Sequence, residues 1–240
     1  NPGVADVTTT SLRWNWQDKS DDETGFKLYA DAGNLLPVTL RTTTPANVTS
    51  WVYSNLTPNT WYSFQVAATN ADASADSLKT DNYGVATLAD PPSIGNNIIC
   101  NRSSNQFYPL GTSFVFSNPI GFGNGGAYRV SKFQYVWDTN LQHTWIGSEP
   151  FWAAGTMTRI PTMDGAYYLH LRSCNQSGMY NSAILDYGPF RVDGTVPTTS
   201  ADPIGGVYGT SLDVRLTASE TAAIYYTTDG SEPTQLSQQY

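Results

Sequence analysis

His143 and His170 are the chain's only histidines. Neither belongs to a His-x-x-x-His pair, and no Cys-x-x-Cys pair accompanies them, so a zinc site has no ligand set to build on. A Ser–His–Asp set can be picked from any chain rich in Ser and Asp, but no G-x-S-x-G nucleophile elbow is present. Alternation with Leu169 and Leu171 places His170 on the solvent face of its strand. Glu149 and Asp164 are acids of the kind that cleave glycosides, yet two acids without a catalytic framework carry no signal. Gly121 to Gly126, GFGNGG, fits G-x-G-x-x-G in form only. A dinucleotide site needs a helix after that loop, and none is legible, so the segment reads as a flexible loop. Asp18, Asp21, Asp22 and Glu23 could offer oxygens to Ca²⁺, but they lack EF-hand spacing and read as a solvated turn. These residues predict no catalytic residue, no metal and no cofactor.

Cys100 and Cys174 are the two cysteines. A bridge across so long a stretch would stabilise the fold by roughly 4 kcal/mol in the chain-entropy view. Two features argue the other way. Cys100 falls on the first strand of its region, whereas an antibody-like bridge starts on the second, near Ser113 to Ser117. Alternation from Tyr167, Leu169 and Leu171 also turns Cys174 away from the core. A Cys100–Cys174 disulfide and two separate reduced thiols both remain open. Trp145 to Trp152, WIGSEPFW, concentrates aromatics in a loop. Trp145, Phe151 and Trp152 could stack on sugars or contact a neighbouring subunit. The favoured reading is a loop folded back to plug the end of a sandwich core. Sequons at Asn47, Asn55, Asn101 and Asn175 are no more than chance places in a chain so rich in Asn, Ser and Thr.

Strands must position all of these groups. No window repeats apolar residues at helical spacing over three turns. Period-two rows recur instead: Leu12, Trp14 and Trp16; Tyr62, Phe64, Val66 and Ala68; Phe133, Tyr135 and Trp137; Leu212, Val214 and Leu216. Each row lines one face of a strand. Short strands between turn signals predict all-β sandwiches. Ala89 to Ser93, ADPPS, reads as an extended linker, since paired prolines remove backbone donors. Asp193 to Pro197 reads as a second joint. The resulting modules are 1–89, 93–194 and 198–240, the last too short to close a sandwich.

Charged residues make up 13% of the chain, against roughly 25% in ordinary soluble domains. A net charge of −8 argues against nucleic acid, whose phosphates need a basic face. No stretch approaches the roughly 18 uninterrupted apolar residues of a membrane span. With 7 Trp, 15 Tyr and 9 Phe, the composition is that of an extracellular chain with thin aromatic cores.

Three resemblances sharpen this reading. Ser11 to Tyr29, SLRWNWQDKSDDETGFKLY, and Leu56 to Asn70, LTPNTWYSFQVAATN, resemble the B–C and E–F regions of a fibronectin type III domain. Trp16 then takes the core tryptophan position and Tyr62 the tyrosine corner. Asp164 to Cys174, DGAYYLHLRSC, and Asp186 to Pro197, DYGPFRVDGTVP, are similar to bacterial immunoglobulin-like surface repeats. Pro203 to Tyr208, PIGGVY, and Ile224 to Thr234, IYYTTDGSEPT, resemble the small C-terminal domain of chitobiase-like enzymes, about half of which is covered. Asp229-Gly230 is also a two-residue hairpin signal. The expected fold is thus a tandem of immunoglobulin-like and fibronectin type III β-sandwiches, the third module incomplete. The resemblances imply no reaction. They imply a non-catalytic surface protein whose partners are other copies of itself or other surface proteins. The alternative is the accessory region of a secreted glycoside hydrolase, with polysaccharide as partner.

Overall fold

The computed structural model describes residues 2–70 and 76–240. All regular structure among them is β, as the period-two rows predict. The chain divides into two compact units, 1–192 and 193–240.

The first sandwich of unit 1–192 uses seven strands. They are β1 (Gly3–Val7), β2 (Ser11–Asn15), β3 (Gly25–Ala32), β4 (Leu40–Pro45), β5 (Ser50–Ser54), β6 (Trp61–Thr69) and β7 (Tyr83–Ala86). One sheet runs β1-β2-β5 and the other β4-β3-β6-β7. Leu12, Trp14 and Trp16 point inward while Arg13 and Asn15 face solvent. Trp14 stacks on Phe64 with centroids 4.9 Å apart, and Trp16 meets the edge of Phe26. Stacked and edge-on pairs let large rings fill a core about 10 Å thick. The Tyr62 ring joins this core, and its hydroxyl accepts the Thr57 N–H at 3.0 Å, the corner expected of it. β6 is buried on both faces because the strand is central and its outward polar groups find backbone partners. Ser63 donates to the Gly33 carbonyl, and the Gln65 amide donates to the Thr80 carbonyl.

The second sandwich holds β8 (Ile99–Cys100), β9 (Phe107–Tyr108), β10 (Phe114–Ser117), β11 (Lys132–Asp138), β12 (Phe151–Trp152), β13 (Thr156–Arg159), β14 (Gly165–Cys174) and β15 (Tyr180–Val192). Its sheets are β13-β10-β8 and β12-β11-β14-β15-β9. All pairings are antiparallel except β15 with β9. Phe114, Phe116, Phe133, Leu169, Leu171 and Phe190 are fully buried between the layers. β11 and β14 pair residue for residue from Lys132↔Cys174 to Asp138↔Tyr168. That register puts Phe133, Leu169 and Leu171 inward and Gln134, His170, Arg172 and Cys174 on the outer face.

Unit 193–240 has β16 (Thr199–Asp202) paired with β17 (Arg215–Ala218) and β18 (Tyr225–Tyr226) paired with β19 (Gln238–Gln239). No residue of this unit is buried. The row Leu212, Val214, Leu216 forms a strand only from Arg215 onward, because no second layer covers it. Asp229-Gly230 turns the chain, with the Asp229 carboxylate accepting Ser231 N–H and hydroxyl. It does not join neighbouring strands as a two-residue hairpin, since β18 pairs with a strand that begins only at Gln238.

Candidate functional site

Two polar constellations stand out in unit 1–192. One covers the outer face of the five-stranded sheet, and the other locks the two sandwiches together.

The outer-face row Gln134, His170, Arg172 is roofed by the loop 139–150. Glu149 anchors this loop: its carboxylate accepts N–H groups from Ile146 at 2.6 Å and Gly147 at 2.8 Å, and His143 Nε2 lies 3.1 Å away. Burial alone would raise the Glu149 pKa, but these backbone N–H groups and His143 outweigh it and bring it down to about 2. The Gln134 amide donates to the Glu149 carbonyl, and its oxygen accepts both Nε and Nη2 of Arg172. The Arg172 guanidinium lies between the Trp145 ring, 4.6 Å away, and the Tyr180 ring, 3.9 Å away. A flat cation between two π faces is an attractive arrangement.

His170 departs from expectation. It is completely buried, because the loop covers what alternation alone marks as a solvent face. Its Nδ1 lies 2.6 Å from Asp186 and its Nε2 3.2 Å from Asp138, so the ring ties β11, β14 and β15 together. Burial pushes the Asp138 carboxyl up, yet Asn140 and His170 together hold it below the ordinary carboxylate range. A ring with no exposed surface cannot meet a dissolved substrate.

The three aromatics singled out from the sequence do not form one platform. Trp152 is a core residue, packed on Phe133 and Phe122, with its indole N–H donated to the Gly155 carbonyl. Trp145 is half-buried against Arg172. Phe151 is exposed, with Lys132 Nζ 3.9 Å from its ring centre. The loop therefore folds back as expected, but over the outer face of a sheet and not over the end of the core.

Cys100 and Cys174 are both free. Cys100 packs against the core from β8, whereas Cys174 sits across from Lys132 on the outer face of β14, outside that core. The two cysteines thus lie on different sheets, and no bridge joins them in this structure. Burial pushes both thiols up, so neither is poised as a nucleophile. In the acidic loop, Asp18 accepts the Ser20 N–H and Glu23 accepts the Asn47 N–H. The Asn47 N–H is the main reason that the Glu23 carboxyl sits below its ordinary value.

The second constellation went unmarked in the sequence. Asn59 is fully buried and takes the left-handed backbone conformation that Asn tolerates at corners, with φ 52°. Its amide donates to the carbonyls of Gly123 at 2.8 Å and Tyr128 at 3.0 Å in the second sandwich. Gln176 answers from that side, its backbone N–H reaching Asn59 Oδ1 and its side-chain amide reaching the Asn59 carbonyl, both at 2.7 Å. Asn175, 1% exposed, donates to the Ala86 and Thr87 carbonyls, while its oxygen accepts Ser177 and Met179 N–H groups. Asn181 donates to the Ala89 carbonyl. Asp90 and Arg129 add an ion pair. The stretch 89–93 is therefore no loose linker: Ala89 is fully buried, and the Pro91 carbonyl accepts the Asn97 amide. The GFGNGG loop is part of the same lock and not a free loop, since Phe122 packs on Phe133 and Trp152 while Gly123 bonds Asn59. Each such bond contributes about 1 kcal/mol net, and leaving a buried partner unpaired costs about 1–3 kcal/mol. The one legible sign was asparagine at turn positions, where its side chain competes for backbone groups.

The seven-strand arrangement, the Trp16 core and the Tyr62 corner bear on kinship. Residues 1–81 match the Fibronectin type III domain. The fibronectin-type sandwich thus carries the resemblance read from its B–C and E–F regions. Residues 203–240 match the Chitobiase/beta-hexosaminidase C-terminal domain. The second sandwich lies outside both matched spans. No curated protein matches the chain. Among solved structures, a two-domain fibronectin type III segment of chicken tenascin is 14% identical, covering 78% of this chain and 98% of that one, with a TM-score of 0.45. The FN1–FN3 domains of chicken CNTN1 are 13% identical, covering 84% of this chain and 70% of that one, with a TM-score of 0.33.

Proposed function

We propose that this chain is a non-catalytic, modular extracellular protein that serves a structural or adhesive role at a cell surface. The observation that carries the reading is the buried Asn59–Asn175–Asn181 lock, which makes two sandwiches into one stiff body. A stiff tandem transmits force and sets spacing, which a reaction does not need. The fibronectin-type match supports a modular role, and such modules are common outside cells. The low charge leaves a surface suited to protein contacts, and other copies of the chain or other surface proteins are the partners. The reading is tested by sedimentation and negative-stain microscopy of the full chain across concentration. Ordered assemblies are expected, and a strict monomer at high concentration overturns the reading.

The match of 203–240 to a chitobiase-type domain favours one second reading, an accessory region of a secreted glycoside hydrolase. It predicts retention on chitin or cellulose with a change in tryptophan fluorescence. Absence of both removes it.

A further inference from the structure

The joint contains a chemical weak point. Asn124-Gly125 is the chain's one Asn-Gly pair, and it lies between the two carbonyls that Asn59 holds. We infer that Asn124 is a site of spontaneous succinimide formation, whose products loosen the joint between the sandwiches.

Three observations converge. The Asn124 side chain is exposed to water, while Gly125 is buried and has no Cβ to hinder approach to its nitrogen. The Ser131 hydroxyl lies 3.2 Å from Asn124 Oδ1, where it donates to the carboxamide oxygen. A donor at that oxygen polarises the carbonyl and steadies the negative charge that gathers there during attack. The segment's partners are also those of the lock, so a change in its backbone is felt across the joint.

The step balances with water alone. The Gly125 backbone nitrogen gives up its proton and attacks Asn124 Cγ. A new N–Cγ bond forms, the Cγ–Nδ2 bond breaks, and the amide leaves as ammonia after taking up a proton. Water then opens the five-membered ring at either carbonyl. One opening yields aspartate with the original backbone, and the other yields isoaspartate with the chain routed through Cβ and Cγ. The isoaspartyl product adds one backbone atom between Gly123 and Tyr128, the two residues whose carbonyls share the Asn59 amide. The surroundings leave little room for that shift. A Cβ placed on Gly125 would stand 3.2 Å from both the Asn59 carbonyl oxygen and the Gln176 amide nitrogen.

The test incubates the full chain at mildly alkaline pH and body temperature, then maps peptides by mass and measures released ammonia. The mass gain of one amide-to-acid conversion is expected in the peptide holding residue 124, ahead of every other asparagine. Asn124→Gln abolishes it, and Ser131→Ala slows it several-fold. Aged wild-type protein loses cooperative unfolding of the two sandwiches, and aged N124Q keeps it. Conversion at residue 124 no faster than at the other asparagines overturns the inference, as does aged, converted protein whose joint still unfolds as one.

Discussion

Units 1–192 and 193–240 are written in the same alphabet and end differently. Both alternate apolar and polar residues, and both are rich in Tyr, Thr and Ser. In 1–192 the rows meet an opposing layer, and Trp14, Phe64, Phe114 and Phe116 are fully buried. In 193–240 two separate strand pairs form, and Val207 and Leu236 stand almost wholly in water. Period-two patterning is thus a local condition for a strand, while burial is a property of two sheets together. Outside the cores the contrast persists, because the lock and the roofed outer face are found only where backbone carbonyls from distant segments converge.

Mutations sharpen this contrast, beginning with the largest effect. Trp14→Ala removes a fully buried ring stacked on Phe64 and is expected to cost about 3–5 kcal/mol, read by chemical denaturation. Asn175→Ala strips the Ala86 and Thr87 carbonyls and two N–H groups of their partner. It is expected to cost about 2–4 kcal/mol and to separate the unfolding of the two sandwiches, because each buried group left unpaired costs about 1–3 kcal/mol.

Glu149 gives a pH test. Its folded pKa of about 2 lies below the ordinary 4.5, so its ionised form stabilises the fold. That contribution is fully present above the ordinary value and disappears as pH falls toward about 2. Wild type and Glu149→Gln should therefore differ in stability at neutral pH and converge in acid, with Trp145 fluorescence reporting the loop. A gap that persists in strong acid contradicts the anchoring role. At the small end, Val207→Ala in 193–240 should change stability by less than about 0.5 kcal/mol, since nothing packs on that side chain.

Much of the fold was legible because it is a matter of side-chain type. Trp14 and Trp16 on one row, Tyr62 at its corner, and Phe133, Leu169 and Leu171 on inward rows all follow from alternation and a few anchor residues. The polar features were not legible, for a physical reason. His170 alternates like a surface residue, and only the Glu149-anchored loop takes it out of water. Asn59, Asn175 and Asn181 bond to backbone carbonyls far away in sequence, and a carbonyl carries no mark of which residue owns it. The cysteines illustrate both cases. Alternation turns Cys174 outward, but the placement of Cys100 and Cys174 on two different sheets became visible only with the strand order in place.

The central claim is that the fibronectin-type sandwich and its neighbour form one mechanical body. Differential scanning calorimetry of the full chain addresses it most directly. One cooperative transition spanning both sandwiches, with agreement between calorimetric and van't Hoff enthalpies, is the predicted result. Two resolved transitions in the unmodified protein, one for each sandwich, would contradict it.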